Sequence, residues 1–209
     1  AYAKEVGADA SLQVTPYYNK PTQEGLYQHF WAIAEAVDLP MILYNIPGRS
    51  VINMEPRTIA RLAEHENIVA IKEATGSMDQ VSEIAQLTNL TILSGDDGMT
   101  LKMMLDPEIK ASGVISVASN VAPKAVTDMV RLIQEGKADE AKKLLSALEP
   151  LFDLVTVKTM ETTRFGEVVC RARNPLAYKT LMSILGMPSG GCRQPLGKMT
   201  RNGLETVLK

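Results

Sequence analysis

Cysteine and histidine are scarce in this chain, with two of each in 209 residues. Cys170 and Cys192 lie far apart, and neither has a second Cys or a His at ligand spacing. The sequence therefore supports neither a zinc site nor a disulfide framework, and the two thiols read as buried or incidental. His29 and His65 fall in helical patterns without a metal partner. Long apolar runs are missing too. No stretch approaches the roughly 18 residues of a membrane-spanning helix, and Lys4 and Glu5 interrupt the first residues where a signal-peptide core would be continuous. A soluble, cytoplasmic protein is expected, or an organellar one if a targeting segment has been removed. Nor is there an excess of one charge: the formal net charge is -2 and the pI about 5.8. Lys and Arg do not cluster with aromatics, which argues against a nucleic-acid partner or a polybasic membrane contact. What remains, 45% hydrophobic and 22% charged residues, suits one sizeable core or a core plus a smaller appendage.

Five short apolar runs recur: Leu12 to Thr15, Met41 to Tyr44, Ile68 to Lys72, Thr91 to Ser94 and Gly113 to Val117. Helical patterns fall between and after them, at about residues 22–37, 55–65, 78–88, 98–105 and 122–135. Asn53 is placed to cap a helix with Pro56 in its first turn, Ser77 precedes the next, and Pro123 opens another. Strands alternating with helices predict a parallel sheet and an α/β fold. After Gly136 the alternation stops, and helix-forming segments follow from Lys137 to Lys158, from Pro175 to Gly186 and from Met199 onward. Two regions are expected on this basis, an α/β part over 1–135 and a helical domain over 136–209.

The unusual polar residues sit just after the strands: Tyr17-Tyr18-Asn19-Lys20, Asn45 to Ser50, Glu73 to Gly76, Gly95-Asp96-Asp97-Gly98 and Ala118-Ser119-Asn120. In parallel α/β architectures ligands bind at the C-terminal ends of the strands. Lys72 closes the apolar run Ile68 to Ile71, which reads as a strand buried on both faces. Desolvation there lowers the pKa of an amine, the condition for attack on a carbonyl carbon near neutral pH. Taken alone, the segment also fits a lysine that snorkels to solvent. Tyr44 ends the preceding strand at the same rim, where a phenol beside an amine can move the protons of carbinolamine formation and dehydration. Arg49 follows closely, with a planar fork suited to a carboxylate. Tyr17 and Tyr18 suit either hydrogen bonding at the site or a subunit contact. Asp96, Asp97 and Glu73 raise a metal-binding alternative, although a lysine nucleophile needs no metal.

Together, Thr15-Pro16-Tyr17-Tyr18-Asn19-Lys20-Pro21-Thr22, Tyr44-Asn45-Ile46-Pro47-Gly48-Arg49, Ile71-Lys72-Glu73-Ala74-Thr75-Gly76, Ser94-Gly95-Asp96-Asp97 and Gly113 to Val117 resemble the dihydrodipicolinate synthase family in order and spacing. That family lies within the pyruvate-dependent class I aldolases. Asn174-Pro175 and Lys179 carry the resemblance into the tail. It implies a (β/α)8 TIM barrel with a C-terminal helical domain, of which this chain supplies about the last five β/α units plus the tail. It also implies a homotetramer built as a dimer of dimers.

By the same resemblance, Lys72 forms an imine with pyruvate, Tyr44 relays protons, and Arg49 holds the carboxylate of aspartate 4-semialdehyde. Tyr18 corresponds to a relay tyrosine lent by a neighbouring subunit, the backbone of Gly95 and Ile115 lies near bound pyruvate, and Tyr17 matches a position near an inhibitory lysine site. The implied product is 4-hydroxy-tetrahydrodipicolinate, in lysine (diaminopimelate) biosynthesis, with no cofactor or metal because the covalent imine on Lys72 is the electron sink. One departure stands out. The family's Gly-Thr-Thr-Gly-Glu segment is missing, and about five strands are present where the barrel needs eight. About three N-terminal β/α units are expected to be absent, and an open sheet of this kind is expected to fold poorly or aggregate. N-acetylneuraminate lyases and 2-keto-3-deoxysugar-acid aldolases share the lysine and the tyrosine. Arg49 and the Tyr17-Tyr18 pair favour the synthase over them, and an inactive truncated subunit is a further alternative.

Overall fold

Each of the five apolar runs forms a strand, the last shortened to Gly113–Val114, and each helical pattern between them contains a helix. In the computed structural model, which describes residues 1–209, α1 (Tyr2–Glu5) is followed by β1 (Ser11–Val14), α2 (Gln23–Ala36), β2 (Met41–Asn45), α3 (Pro47–Ser50) and α4 (Pro56–Leu62). Next come β3 (Ile68–Glu73), α5 (Met78–Leu87), β4 (Thr91–Ser94), α6 (Thr100–Leu105) and β5 (Gly113–Val114). The five strands pair in parallel in the order β1-β2-β3-β4-β5. Sequential order places each crossover helix on the same side, as in a segment of a barrel rather than a doubly wound sheet.

The core lies between that side of the sheet and the helices. Leu43, Ile71 and Ile92 from the strands meet Leu26 and Phe30 of α2, Ile59 and Leu62 of α4, and Val81 and Ile84 of α5. Burial of these side chains is the main source of stability, at roughly 1.5–3 kcal/mol each. The opposite side of the sheet carries Leu12, Val14, Ile42, Tyr44, Ala70 and Lys72 in matching register. Leu12 and Val14 there are exposed.

Local signals behave largely as the sequence suggests. The Ser77 hydroxyl accepts from the Gln80 amide at 3.2 Å and caps α5, while Pro56 and Pro123 occupy first turns. Two details differ. Asn53 does not cap α4, whose N-cap is Glu55 without a side-chain bond; its side chain turns instead into a buried polar network. Nor is β3, read as buried on both faces, buried throughout. The β2–β3 register runs Met41↔Ile68 and then Ile42↔Ala70, so Val69 is skipped as a bulge and stands 41% exposed.

Contacts divide the chain into two units, Ala1–Ser116 and Val117–Lys209. The second contains α7 (Pro123–Gln134), α8 (Ala138–Asp153), β6 (Thr156–Thr163), β7 (Gly166–Arg173), α9 (Leu176–Ile184) and α10 (Arg201–Val207). Helices dominate it, but the stretch expected to continue as helix to Lys158 leaves that conformation after Asp153. Residues from Thr156 form an antiparallel hairpin, from Thr156↔Arg173 to Thr163↔Gly166. Thr156, Val157, Thr159, Thr162 and Thr163, answered by Val168 and Val169, are β-branched residues that prefer the pleated surface. Their tertiary setting reinforces it, since Val157 and Ala172 pack with Leu176, Ala177 and Val207. No helix of the chain is long and apolar enough to cross a membrane.

Candidate active site

Tyr44 and Lys72 are register partners at the C-terminal ends of β2 and β3, and residues paired in this way point to the same side of the sheet. The Lys72 Nζ lies 4.1 Å from the centroid of the Tyr44 ring. Lys72 is only 8% exposed, so it does not snorkel into water. Burial pushes its amine below the usual lysine range; Asp97 opposes that shift and Arg49 adds to it. Burial likewise raises the Tyr44 phenol, against the pull of Arg49. The site thus holds an amine made easier to deprotonate beside a phenol that keeps its proton, a suitable pairing for a nucleophile and a proton carrier.

Arg49 sits on α3, started by Pro47 and closed at Val51, which adopts a left-handed φ of 65°. A β-branched residue in that region costs roughly 1–3 kcal/mol, and the strained turn lies two residues beyond the arginine whose charge reaches both Lys72 and Tyr44. Gly95 follows β4 and closes on the lysine from the other side. A Cβ built there would stand 2.7 Å from the Ala74 Cβ and 3.1 Å from the Lys72 Cε, so only glycine lets the chain pass. Its amide donates to the Glu73 carbonyl at 2.8 Å. Ile115 stands just past β5 and donates to the Ser94 carbonyl at 2.9 Å.

Lys72, Tyr44, Gly95 and the charge of Arg49 are therefore brought together. Tyr17 and Tyr18 instead lie exposed in the loop after β1, Tyr18 at 90% with φ 71°. The three carboxylates weighed for a metal do not converge. Asp96 caps a 3-10 turn by accepting from Gly98 at 3.0 Å, Asp97 is buried and acts on Lys72, and Glu73 faces the helices. No group of three His, Cys, Asp or Glu residues is arranged to hold a metal ion.

A buried polar cluster that sequence reasoning missed lies on the helix-facing side. Asn45 is fully buried and Glu73 is 2% exposed, and the Asn45 Nδ2 donates to the Glu73 Oε2 at 3.3 Å. Asn53 and Gln80 join them. The signal was available: Asn45 and Glu73 each directly follow one of the two rim residues, and strand periodicity places them together on the reverse side.

The chain matches the model of the Dihydrodipicolinate synthetase family over residues 1–209. The 4-hydroxy-tetrahydrodipicolinate synthase of Sulfurihydrogenibium sp. (strain YO3AOP1) is 47% identical over 210 residues, covering 99% of this chain and 66% of that protein. Its counterpart in Methanocaldococcus jannaschii is 41% identical, covering 100% and 68%. Among solved structures, dihydrodipicolinate synthase from Aquifex aeolicus superposes with a TM-score of 0.87 at 42% identity, covering 100% of this chain and 66% of that one. The chloride-inhibited enzyme of Acinetobacter baumannii complexed with pyruvate gives a TM-score of 0.85 at 40% identity, covering 99% and 66%. The chain spans about two thirds of the length of these relatives. A match along every residue, on a sheet whose order and rim chemistry stand independently of it, shows that this chain belongs to the dihydrodipicolinate synthetase family.

Proposed function

We propose that this chain carries the imine-forming part of a 4-hydroxy-tetrahydrodipicolinate synthase, which condenses pyruvate with aspartate 4-semialdehyde. The observation that carries the reading is the Lys72 amine buried at a strand end, against Tyr44 and within the field of Arg49, with its pKa lowered by that burial. Family membership supports it, as does the pyruvate complex of the Acinetobacter baumannii relative.

The neutral Lys72 amine attacks C2 of pyruvate, and Tyr44 passes a proton to the departing hydroxyl, so that water leaves and a protonated imine remains. That cation withdraws electrons from C3, which loses a proton to give the enamine. The enamine carbon then bonds to the aldehyde carbon of the semialdehyde, whose oxygen takes up a proton. The semialdehyde's own amino group attacks the imine carbon, expels the Lys72 amine and closes the ring. Arg49 holds the semialdehyde carboxylate, and the backbone around Gly95 and Ile115 lies along bound pyruvate. No metal takes part, so chelator leaves the rate unchanged. The exposure of Tyr18 supports its reaching a neighbouring subunit to complete the proton relay in a homotetramer. Tyr17 is proposed to border a lysine-responsive site.

Borohydride reduction in the presence of pyruvate, followed by peptide mass mapping, tests the reading. An adduct on Lys72 is expected. An adduct on any other residue, or none in the complete polypeptide, rejects it.

A further inference from the structure

Asn45 and Glu73 occupy the final rung of the β2–β3 ladder, one residue beyond Tyr44 and Lys72 and on the opposite side of the sheet. The rung is tied twice. In the backbone, the Ala74 amide donates to the Asn45 carbonyl at 2.9 Å, while on the other edge of β3 the Gly95 amide joins the Glu73 carbonyl to the end of β4 at 2.8 Å. In the side chains, the Asn45 Nδ2 donates to the Glu73 Oε2 at 3.3 Å, while the Glu73 Oε1 accepts from the Thr75 amide at 2.8 Å.

Asn45 is itself fixed. Its Oδ1 accepts from the Met54 amide at 3.1 Å, and its Nδ2 also donates to the Asn53 Oδ1 at 2.9 Å and the Met54 carbonyl at 3.2 Å. Asn53 is held in turn by Gln23 and Gln80. The network therefore runs from the start of α2, across both strand ends, to the first turn of α5.

A carboxyl group this deeply buried is unfavourable unless its hydrogen bonds are satisfied. The groups acting on Glu73 are the donors Thr75, Asn45 and Gln80, and burial strengthens its hold on a proton. An aliphatic side chain would fill the same space without that penalty, so what the carboxyl supplies is direction. Beyond this rung the two strands part into separate turns, α3 on one side and the Ala74–Ser77 segment on the other. Because consecutive strand residues point to opposite sides, any rotation or separation at Asn45 and Glu73 is transmitted to Tyr44 and Lys72.

We propose that Glu73 is a positioning residue: through Asn45 it sets the separation of the strand ends that carry Tyr44 and Lys72, and so the approach of phenol to amine during imine formation. The inference rests on the reading of Lys72 as the imine-forming residue. It is tested by the rate of borohydride-trapped pyruvate adduct at Lys72 in the complete polypeptide, for wild type, E73A and E73Q, with circular dichroism and melting as controls on folding. At saturating pyruvate, E73A is expected to be trapped about tenfold or more slowly, since misplacement of reacting groups alone can cost as much as about a hundredfold. The half-saturating pyruvate concentration stays unchanged, and E73Q, which keeps the length and one of the two acceptor oxygens that Asn45 and Thr75 use, recovers part of the rate. N45A removes the partner, gives the same pattern, and replaces E73A in the comparison if E73A does not fold. A wild-type trapping rate in the alanine variant, or a glutamine variant no faster than it, overturns the proposal. Absence of a Lys72 adduct in the wild type overturns instead the reading on which it rests, so the two failures are distinguishable.

Discussion

The Lys72 Nζ meets the face of the Tyr44 ring, 4.1 Å from its centroid. A ring face attracts a cation, by roughly 0.5–2 kcal/mol depending on solvation, whereas burial favours the neutral amine and is the largest influence on Lys72. The two effects suit different moments of one reaction. Burial favours loss of the amine's proton, and in the proposed reaction the same ring face would stabilise a cationic imine.

Removing the lysine should separate activity from stability. Lys72 binds its proton less tightly folded than unfolded. Between the folded and unfolded pKa values the unfolded chain therefore holds the extra proton, and stability rises with pH. Below that window the buried ammonium is a net cost. K72M is expected to form no adduct and to lose activity by at least about a thousandfold. Its melting temperature should exceed that of the wild type at low pH, with the gain shrinking as pH climbs through the window. A gain that grows with pH would refute the assigned sign.

Arg49 and Asp97 should tune the same amine in opposite directions. Arg49 lowers the Lys72 proton affinity and Asp97 raises it. The midpoint of pyruvate trapping against pH is expected to move to higher pH in R49Q and to lower pH in D97N. Matching directions in the two variants would show that the amine is governed by something other than these charges.

Y44F tests the hydroxyl apart from the ring. The ring contact with Lys72 survives the change, so the pH midpoint of trapping should stay near that of the wild type. The turnover number is expected to fall by about 10²–10⁴, the usual contribution of a positioned proton carrier. Steady-state rates combined with single-turnover trapping measure both quantities, and an unchanged turnover number would remove Tyr44 from the relay.

Gly95 and Gly48 make a matched pair. A methyl group at Gly95 would press on Ala74 and on the Lys72 side chain, whereas one at Gly48 meets nothing within 4 Å. G95A should cost about 1–3 kcal/mol in denaturant melts, as overpacking usually does, and slow adduct formation. G48A lies in α3, where alanine is the better helix former by up to about 1 kcal/mol, so it should be neutral or mildly stabilising. Equal behaviour of the two variants would mean that the strand end yields around Gly95.

Much of this is legible in the sequence alone. Strand and helix positions follow from hydrophobic periodicity, and the lysine and tyrosine at neighbouring strand ends stand out because ionisable groups rarely close apolar runs. The misreadings share one cause. Asn53 looked like a helix cap, and residues 156–158 looked helical, because both were judged on local propensity. In the folded chain Asn53 finds Asn45 and Gln80, and Thr156 to Lys158 pair with residues 171–173. Glu73 suits a metal by residue type alone, but alternation along the strand turns it away from Lys72 and toward the helices.

The sequence by itself determined the order of the β/α units and which residue types stand at their ends, Lys72 and Tyr44 among them, since periodicity and residue type are local properties. Only the tertiary structure decided which residue Lys72 faces. Continued from Met41↔Ile68, a regular ladder would set Lys72 opposite Asn45, on the helix-packed side. The bulge at Val69 advances the register by one residue and sets Lys72 opposite Tyr44. Strand side chains alternate with a period of two, so a shift of one residue exchanges the two sides of the sheet. That shift belongs to the pairing of strands more than twenty residues apart in sequence, a contact that no short window on the sequence contains.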